Sequence, residues 1–189
     1  MKKCLFVLIL LAFVAFAVSS CDVTISANGP AGTATTSGSA ALPSSGTAPL
    51  GKQTKTAGCL AHGGLPDSAC TPGAIFAHAT VQEICTPGYS RTVRNVPYSE
   101  KDQAYAEYGI QSHYAGQYEV DHLVPLELGG SNESADLWPE AASPTPGFHQ
   151  KDEVENYLHD QVCSGALSLK DAQSEIATNW LAVYNRMPK

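Results

Sequence analysis

The hydrophobic and polar positions divide this chain into an apolar start, a polar stretch and a long final part with regular apolar periodicity. From Gly58 onward, apolar residues recur at spacings typical of helices and strands. The clearest patterns predict two C-terminal helices, one following Lys151 and ended by Gly165, the other opened by the capping residue Ser168. Their inward-facing residues are predicted to be Val154, Tyr157, Leu158 and Val162, then Leu169, Ala172, Ile176, Trp180 and Val183.

Shorter patterns predict the elements before these helices. Tyr89 to Val96 alternates as a strand does. Ser99 to Tyr108 begins with a capping-box pattern and ends before a glycine, which predicts a helix. Tyr105 and Tyr108 share one face of that helix, and aromatic residues at this spacing are usually core residues.

The central stretch predicts two strands joined by a turn. A short apolar alternation from Tyr118 ends at Asp121-His122, and Pro125 and Gly129-Gly130 then interrupt it. A second apolar stretch ends at Pro139, and a helix follows. The predicted fold class is therefore α+β, with strand, turn, strand and helix in succession.

The first residues are typical of an export signal. Residues 1–20 combine a positive start, an apolar run and small residues, and the run is too short for a convincing membrane span. Cleavage after Ala17 fits one kind of signal. The sequence from Val18 to Cys21 fits the bacterial lipoprotein box instead, in which Cys21 is lipidated.

Composition separates a tether from a domain. Residues 21–57 are mostly Ala, Gly, Ser, Thr and Pro, which cannot bury enough apolar surface to offset the entropy lost on folding. We therefore expect a flexible tether. Residues 58–189 are sufficient for one domain with a core.

Cysteine parity favours the lipoprotein interpretation. The chain has six Cys, and Cys4 leaves with the signal, which makes the remaining number odd. If Cys21 carries lipid, the other four can all pair, as expected in an oxidising compartment.

Two disulfides are predicted among those four. Cys59 and Cys70 bracket a turn-rich loop and are expected to be bridged, with a metal knuckle using His62 as the alternative. By elimination, Cys85 pairs with Cys163.

Asp121 and His122 are the candidate catalytic residues of the central stretch. Hydrolysis of a phosphodiester needs an activated water, charge relief on the phosphate oxygens and assistance to the leaving alkoxide. An imidazole can supply the first and a divalent metal the other two. Neighbouring strand residues point to opposite faces, so both side chains converge only if the strand ends or bulges there.

A longer pattern carries a family resemblance. Asp-His-x-x-Pro-x-x-x-Gly-Gly from Asp121, then x-Leu-Trp-Pro to Pro139, then a helix with His-x-Lys from His149, resembles a secreted, disulfide-bearing branch of the HNH (ββα-metal) endonucleases. Cys70-Thr-Pro-Gly and Cys85-Thr-Pro-Gly-Tyr also resemble that branch, and the likeness extends from Gly58 to Tyr184.

The resemblance implies a role for each matching position. His122 matches the general base, and Asp121 the carboxylate metal ligand beside it. His149 matches the second metal ligand, at the start of the helix. Asp136 falls where the family has an Asn that holds the loop between the strands and helps to orient the catalytic His.

Two positions depart from the family pattern. Asp136 as a carboxylate accepts hydrogen bonds but does not donate them as Asn does. It could brace the loop through backbone amides, raise the pKa of His122 or bind metal. Residues 140–148 lengthen the approach to the helix, so His159 and Asn156 are alternatives to His149 as ligand.

Charge bears on the expected affinity for nucleic acid. The full chain has 11 basic and 18 acidic residues, a net charge of −7, and without Lys2 and Lys3 the balance is 9 against 18. This excludes a tight, sliding DNA binder, because Lys and Arg contacts to phosphate dominate that kind of affinity. Candidate substrate contacts are Arg91, Arg94 and Lys151.

These expectations combine into one hypothesis: a monomeric, metal-dependent endonuclease that cleaves DNA, with RNA as a further substrate, outside the bacterial cytoplasm. The resemblance implies one divalent ion, Mg²⁺ before Mn²⁺, Zn²⁺ or Ni²⁺. A lipid anchor would hold the protein at the membrane. The alternative is a catalytically inactive nucleic-acid-binding or envelope-binding module on the same fold.

Overall fold

The computed structural model describes residues 50–189. Within this range, helices surround a small antiparallel sheet of two strands. The predicted α+β class is confirmed. The helices are α1 Val81–Ile84, α2 Tyr89–Val93, α3 Tyr98–Glu107, α4 Phe148–Cys163 and α5 Leu169–Arg186, and the strands are β1 Tyr118–His122 and β2 Leu137–Ala141.

The two strands form a hairpin with a long, buried connection. Asp121 lies opposite Trp138, and His122 lies opposite Leu137. The connection contains two 3₁₀ turns, Leu126–Leu128 and Ser134–Asp136. Its apolar side chains are almost fully buried, so the end of β1 is held within the protein core.

The predicted C-terminal helices and their buried faces are confirmed. Gly165 takes a positive φ of +79° just after α4, and Ser168 caps α5 by accepting a hydrogen bond from the Asp171 amide. Tyr157 and Leu169 lie partly buried at the edge of the core. The remaining predicted core residues are at most 2% exposed: Val154, Leu158, Val162, Ala172, Ile176, Trp180 and Val183.

The predicted strand from Tyr89 to Val96 is wrong, because Tyr89–Val93 forms helix α2. The partly buried apolar residues of this stretch are Tyr89, Val93 and Val96, at spacings of four and three that fit a helix. Gly88, with φ +86°, reverses the chain just before the helix. A stretch this short fits both periodicities, and packing against the core selects the helix.

Helix α3 confirms the predicted helix, although Pro97 rather than Ser99 is its N-cap. Tyr105 packs beside Ala104 against the hairpin. The Tyr108 hydroxyl accepts a hydrogen bond from the Asp67 amide at 3.2 Å and lies 2.8 Å from the Thr71 hydroxyl. Both tyrosines are therefore structural, as predicted.

Both predicted disulfides are present, Cys59–Cys70 and Cys85–Cys163. The second joins residues 78 positions apart and connects the end of α1 to the end of α4. Disulfides of this kind are compatible with an extracytoplasmic protein.

Residues 50–57, which the sequence assigned to the tether, lie against the domain. The Gly51 amide donates to the Gly73 carbonyl, and Lys55 forms an ion pair of 2.8 Å with Asp67. The export signal, Cys21 and the rest of the tether lie outside the described residues. Among residues 50–189, no helix is long and apolar enough to span a bilayer.

Candidate active site

The end of β1 opens onto a small cavity of about 80 Å³. Asp121 and His122 line it from β1, Arg94 from the end of α2, and Glu155 from α4. Its remaining lining residues are Ser90, Pro125, Leu126 and Glu127. Because the strand ends at His122, the two neighbouring side chains reach the same cavity, which has room for water.

His122 is buried and electrically neutral. Only 1% of its surface is exposed. Its pKa is lowered to about 4, mainly by burial and also by the charges of Arg94 and Lys151, against the opposing effects of Asp121 and of the contact with Asn132. Its Nε2 lies 3.4 Å from Oδ1 of Asn132, and its Nδ1 is buried without a hydrogen-bond partner. A neutral imidazole keeps one nitrogen lone pair available to accept a proton.

Lys151 is fully buried at the centre of the site. Its ammonium donates to Oδ2 of Asp121 and to the His122 carbonyl, each at 2.7 Å, and to Oε1 of Glu155. All three donor positions are used, and the side chain has no exposed surface. The expected contact of Lys151 with substrate is therefore wrong: the residue positions the acids of the site instead.

Two buried carboxyls near Lys151 differ in the direction of their pKa shift: that of Asp121 is lowered and that of Glu140 is raised. Burial tends to raise the pKa of Asp121, but the ammonium beside it holds that pKa below its usual range. For Glu140 burial dominates, and together with the charge of Asp121 it raises the pKa to about 10. Glu140 is 1% exposed, and neither of its oxygens has a donor in reach. Only as the protonated acid does it gain a partner, by donating to Asp121.

Two further acids near Asp121 are Glu119 of β1 and Asp152 in the first turns of α4. Partial desolvation raises the pKa of both Glu119 and Asp152, and the negative charge of Asp121 adds to the effect. His149 acts on Asp152 in the opposite direction. Mg²⁺ prefers carboxylate oxygens, and a divalent ion would relieve this repulsion. These donor groups are of the chemical kind that such an ion binds, although among the described residues the ligand atoms of Asp121, Asp152 and His149 do not lie within 4.8 Å of one another.

Asp136 braces the loop between the strands. Its Oδ1 accepts from the Val124 amide at 2.9 Å and the Ala74 amide at 3.2 Å. Burial raises its pKa well above the usual range, which favours the neutral acid. The sequence left three roles open for Asp136, and the structure shows the contact with backbone amides of the loop. The residue hydrogen-bonded to the His122 ring is Asn132.

His149 and the two arginines lie nearer to solvent. His149 is exposed in the first turn of α4, with its ring against Phe148 at 4.2 Å. Arg91 is exposed on α2 and does not line the cavity, whereas Arg94 does. Arg94 is therefore the better placed of the two for a substrate contact.

A second cluster consists of residue types that bind metals, but its sulfur atoms are not available as ligands. Ligand atoms of Cys85, His159 and Cys163 lie within 4.8 Å of one another. Both sulfurs are joined in the disulfide and are not thiolates. Nε2 of His159 lies 3.0 Å from the Ile84 carbonyl, which can only accept, so this nitrogen carries the donated hydrogen. In its oxidised form the group offers no ligand set.

A larger cavity lies away from these residues. It measures about 490 Å³ and is lined mainly by apolar, aromatic and proline residues, including Tyr108, Tyr118 and Trp138. Tyrosine hydroxyls are its only titratable groups, whereas the smaller cavity is lined by Asp121, His122, Glu127 and Glu155.

Four contributors escaped the sequence analysis: Asn132, Glu140, Asp152 and Glu155. Glu155 lies one helical turn from Lys151, a spacing that favours an ion pair and could have identified it. Glu140 is an acid at the end of an apolar stretch, a weaker signal. Nothing local distinguishes Asn132 from other loop residues.

Comparisons of this chain with protein-family models, with curated proteins and with solved structures gave no match.

Proposed function

We propose that this protein is a metal-dependent endonuclease of the HNH (ββα-metal) type, which hydrolyses phosphodiester bonds in DNA and also in RNA. One observation carries the proposal: a buried, neutral His122, with an uncommitted nitrogen, shares a small cavity with Asp121 and Arg94. The succession of β1, β2 and α4, with Asp121-His122 at the end of the first strand, supports the ββα-metal assignment.

His122 acts as the general base. Its neutral ring accepts a proton from a water in the cavity as that water attacks phosphorus. Arg94 binds a phosphate oxygen, as guanidinium groups do well. Because the charge of Arg94 lowers the pKa of His122, a bound phosphate that neutralises this charge makes the imidazole a stronger base.

Asp121, Asp152 and His149 would hold the divalent ion, Mg²⁺ first by their oxygen-rich chemistry. When bound, the ion supplies charge relief on the phosphate and assistance to the leaving oxygen. Lys151 fixes the Asp121 carboxylate, and through the His122 carbonyl it also fixes the strand end that carries the base.

The proposed location is outside the cytoplasm. The two disulfides are the supporting observation. Export through residues 1–20 and a lipid anchor at Cys21 complete this part of the proposal.

Plasmid cleavage tests the function directly. The purified protein, with disulfides intact, is incubated with supercoiled plasmid and Mg²⁺, Mn²⁺ or Zn²⁺, and separately with EDTA. We expect nicking that requires metal and that falls by at least about 100-fold in His122→Ala, the range typical of a lost general base.

His78→Ala is the matched control, because His78 is an exposed loop residue, and it should cleave as the wild type does. Equal cleavage by the wild type and His122→Ala would refute the mechanism. Binding of DNA without cleavage, by a folded protein and with every metal, would favour the binding module instead.

A further inference from the structure

Asn132 occupies a defined position between the base and the segment that carries Arg94. Its Oδ1 accepts from the Asn95 amide at 3.1 Å, and its Nδ2 donates to the Val93 carbonyl at 2.8 Å. The same Oδ1 lies 3.4 Å from Nε2 of His122. Three contacts, two of them to backbone groups, therefore meet at one amide side chain.

The backbone contacts fix which way the amide faces. The Asn95 amide can only donate, and the Val93 carbonyl can only accept. A flipped side chain would oppose donor to donor at Asn95 and acceptor to acceptor at Val93. The oxygen must therefore face His122, and this orientation follows from the network rather than from the shape of the group.

The fixed oxygen in turn selects a state of the imidazole. Only a protonated nitrogen can donate to Oδ1, so Nε2 carries the hydrogen. In a neutral ring the lone pair is then at Nδ1, the nitrogen that has no other partner. The contact is long for a hydrogen bond, as is common for catalytic groups before substrate binds.

We propose that Asn132 is a positioning residue that holds His122 as the Nε2–H tautomer, so that Nδ1 is the atom that takes the proton from water. The inference rests on the proposed endonuclease function for its catalytic part, but the tautomer itself can be observed without any activity. The resemblance assigned orientation of the His to Asp136, whereas the contact with the ring belongs to Asn132.

The same residue ties the base to the proposed phosphate contact. Val93 ends α2, and Asn95 follows Arg94 directly. Bonds to the residues on both sides of Arg94 hold this segment against the ring. Loss of Asn132 therefore releases both groups.

Nitrogen NMR of the imidazole tests the tautomer. Long-range ¹H–¹⁵N correlations at neutral pH, without metal, distinguish a protonated ring nitrogen from one with a lone pair. The chain has six His, and the signals missing in His122→Ala identify the ring. We expect the wild type to show a protonated Nε2 and an unprotonated Nδ1.

Two substitutions of Asn132 distinguish the effect of its hydrogen-bond acceptor from the effect of its side-chain shape. Asn132→Asp keeps an oxygen that accepts from His122 and Asn95, so the tautomer should persist. Asn132→Leu has a similar size but no acceptor, and its ring should show a mixture of tautomers with a fall in kcat of about 100-fold. Because the leucine also releases the segment that carries Arg94, KM should rise together with the fall in kcat, and the tautomer of the ring is the readout specific to the lost acceptor. Asn185→Leu, at an exposed position of α5, is the matched control.

A protonated Nδ1 in the wild type overturns the inference, and so does an unchanged tautomer in Asn132→Leu. The wild-type and Asn132→Asp spectra decide the question even if the leucine variant does not fold. An Nε2–H tautomer in a protein that cleaves nothing would refute the endonuclease and the base role together, while the assignment of the ring to Asn132 would stand.

Discussion

At the scale of single residues, one ammonium sets the protonation of the acids around it. Lys151 provides one positive charge, and Asp121 and Glu155 bind it directly. Glu140 is buried beside this pair without a donor. The attraction of Lys151 lowers the pKa of this carboxyl but does not outweigh burial and the charge of Asp121, so the neutral acid is the favoured form.

This arrangement predicts that Glu140 makes stability fall as pH rises. Its pKa is about 10 in the folded protein, against an ordinary value of 4.5. Between these values the folded state keeps a proton that the unfolded state has lost, so the free energy of unfolding decreases with pH, by up to about 1.4 kcal/mol per pH unit. Glu140→Gln removes this contribution, and urea denaturation from about pH 5 to about pH 9 should show a shallower decline than in the wild type.

Exposed Glu133 provides the comparison for that experiment. Glu133→Gln removes one carboxyl, as Glu140→Gln does, but at the surface instead of in the core. The pH dependence of its stability should therefore match that of the wild type. An identical decline in wild type and Glu140→Gln would mean that Glu140 is ionised in the folded protein.

Below about neutral pH, His122 makes the free energy of unfolding change with pH in the opposite direction. His122 has a folded pKa of about 4, below its ordinary value of 6.5. Between these values the unfolded chain binds a proton that the folded ring does not, so His122 contributes stability that is lost as pH falls. Above pH 6.5 the effect of His122 ends and the decline from Glu140 remains, so stability should be greatest in mildly acidic solution.

At the scale of elements, the connection between β1 and β2 depends on a close backbone approach. A Cβ added at Gly130 would lie 1.7 Å from the Val124 carbonyl oxygen and 2.9 Å from Oδ2 of Asp136. The first of these is backbone and cannot move aside alone. Gly130 therefore allows the loop to fold back on the end of β1, where the candidate base lies.

Replacement of this glycine should be far more damaging than replacement of a glycine in open space. We expect Gly130→Ala to lower the free energy of unfolding by at least about 3 kcal/mol, because backbone must shift to admit the methyl group. Gly116 has φ +80° with nothing within 4 Å of an added Cβ, so Gly116→Ala should cost about 1 kcal/mol of backbone strain. Urea denaturation of both variants measures the difference, and equal losses would show that the loop adapts.

How far the sequence predicts an element depends on the length of its pattern. Helices α4 and α5 repeat their apolar residues over several turns, and their buried faces were predicted almost completely. Helix α2 has five residues, too few to separate a helical period from a strand period. Its identity is decided by the core against which Tyr89 packs.

The site follows the same rule. The adjacency of Asp121 and His122 is local, and the sequence showed it. The burial of Lys151 depends on partners up to 30 positions away, and the contact of Asn132 with Val93 spans 39 positions. Such contacts arise from tertiary packing, so no local pattern could show that Lys151 faces the acids rather than substrate.

At the scale of the whole molecule, the Cys85–Cys163 disulfide constrains most of the domain. It joins α1 to the end of α4 across 78 positions. In the chain-entropy account, closing so long a loop in the unfolded chain stabilises the folded state by about 4 kcal/mol. Both cysteines are at least partly exposed, so replacing them loses little packing.

We therefore expect Cys85→Ala with Cys163→Ala to lower the free energy of unfolding by about 4 kcal/mol. The dependence of that free energy on urea should steepen, because the unfolded chain can expand further. Either single substitution should have almost the full effect of the pair, since the bond needs both sulfurs. Additive effects of the two substitutions would contradict this account.

The position of that disulfide also determines how the protein would respond to proteolysis. Residues 85–163 form a closed covalent ring, and the ring contains Arg94, Asp121, His122, Asn132 and Lys151. One cut at any peptide bond within it opens the ring but separates no part of the site from the rest. A protein exposed to proteases could thus lose one bond on a surface loop and still keep the base, its positioning residue and the buried lysine on one covalent molecule.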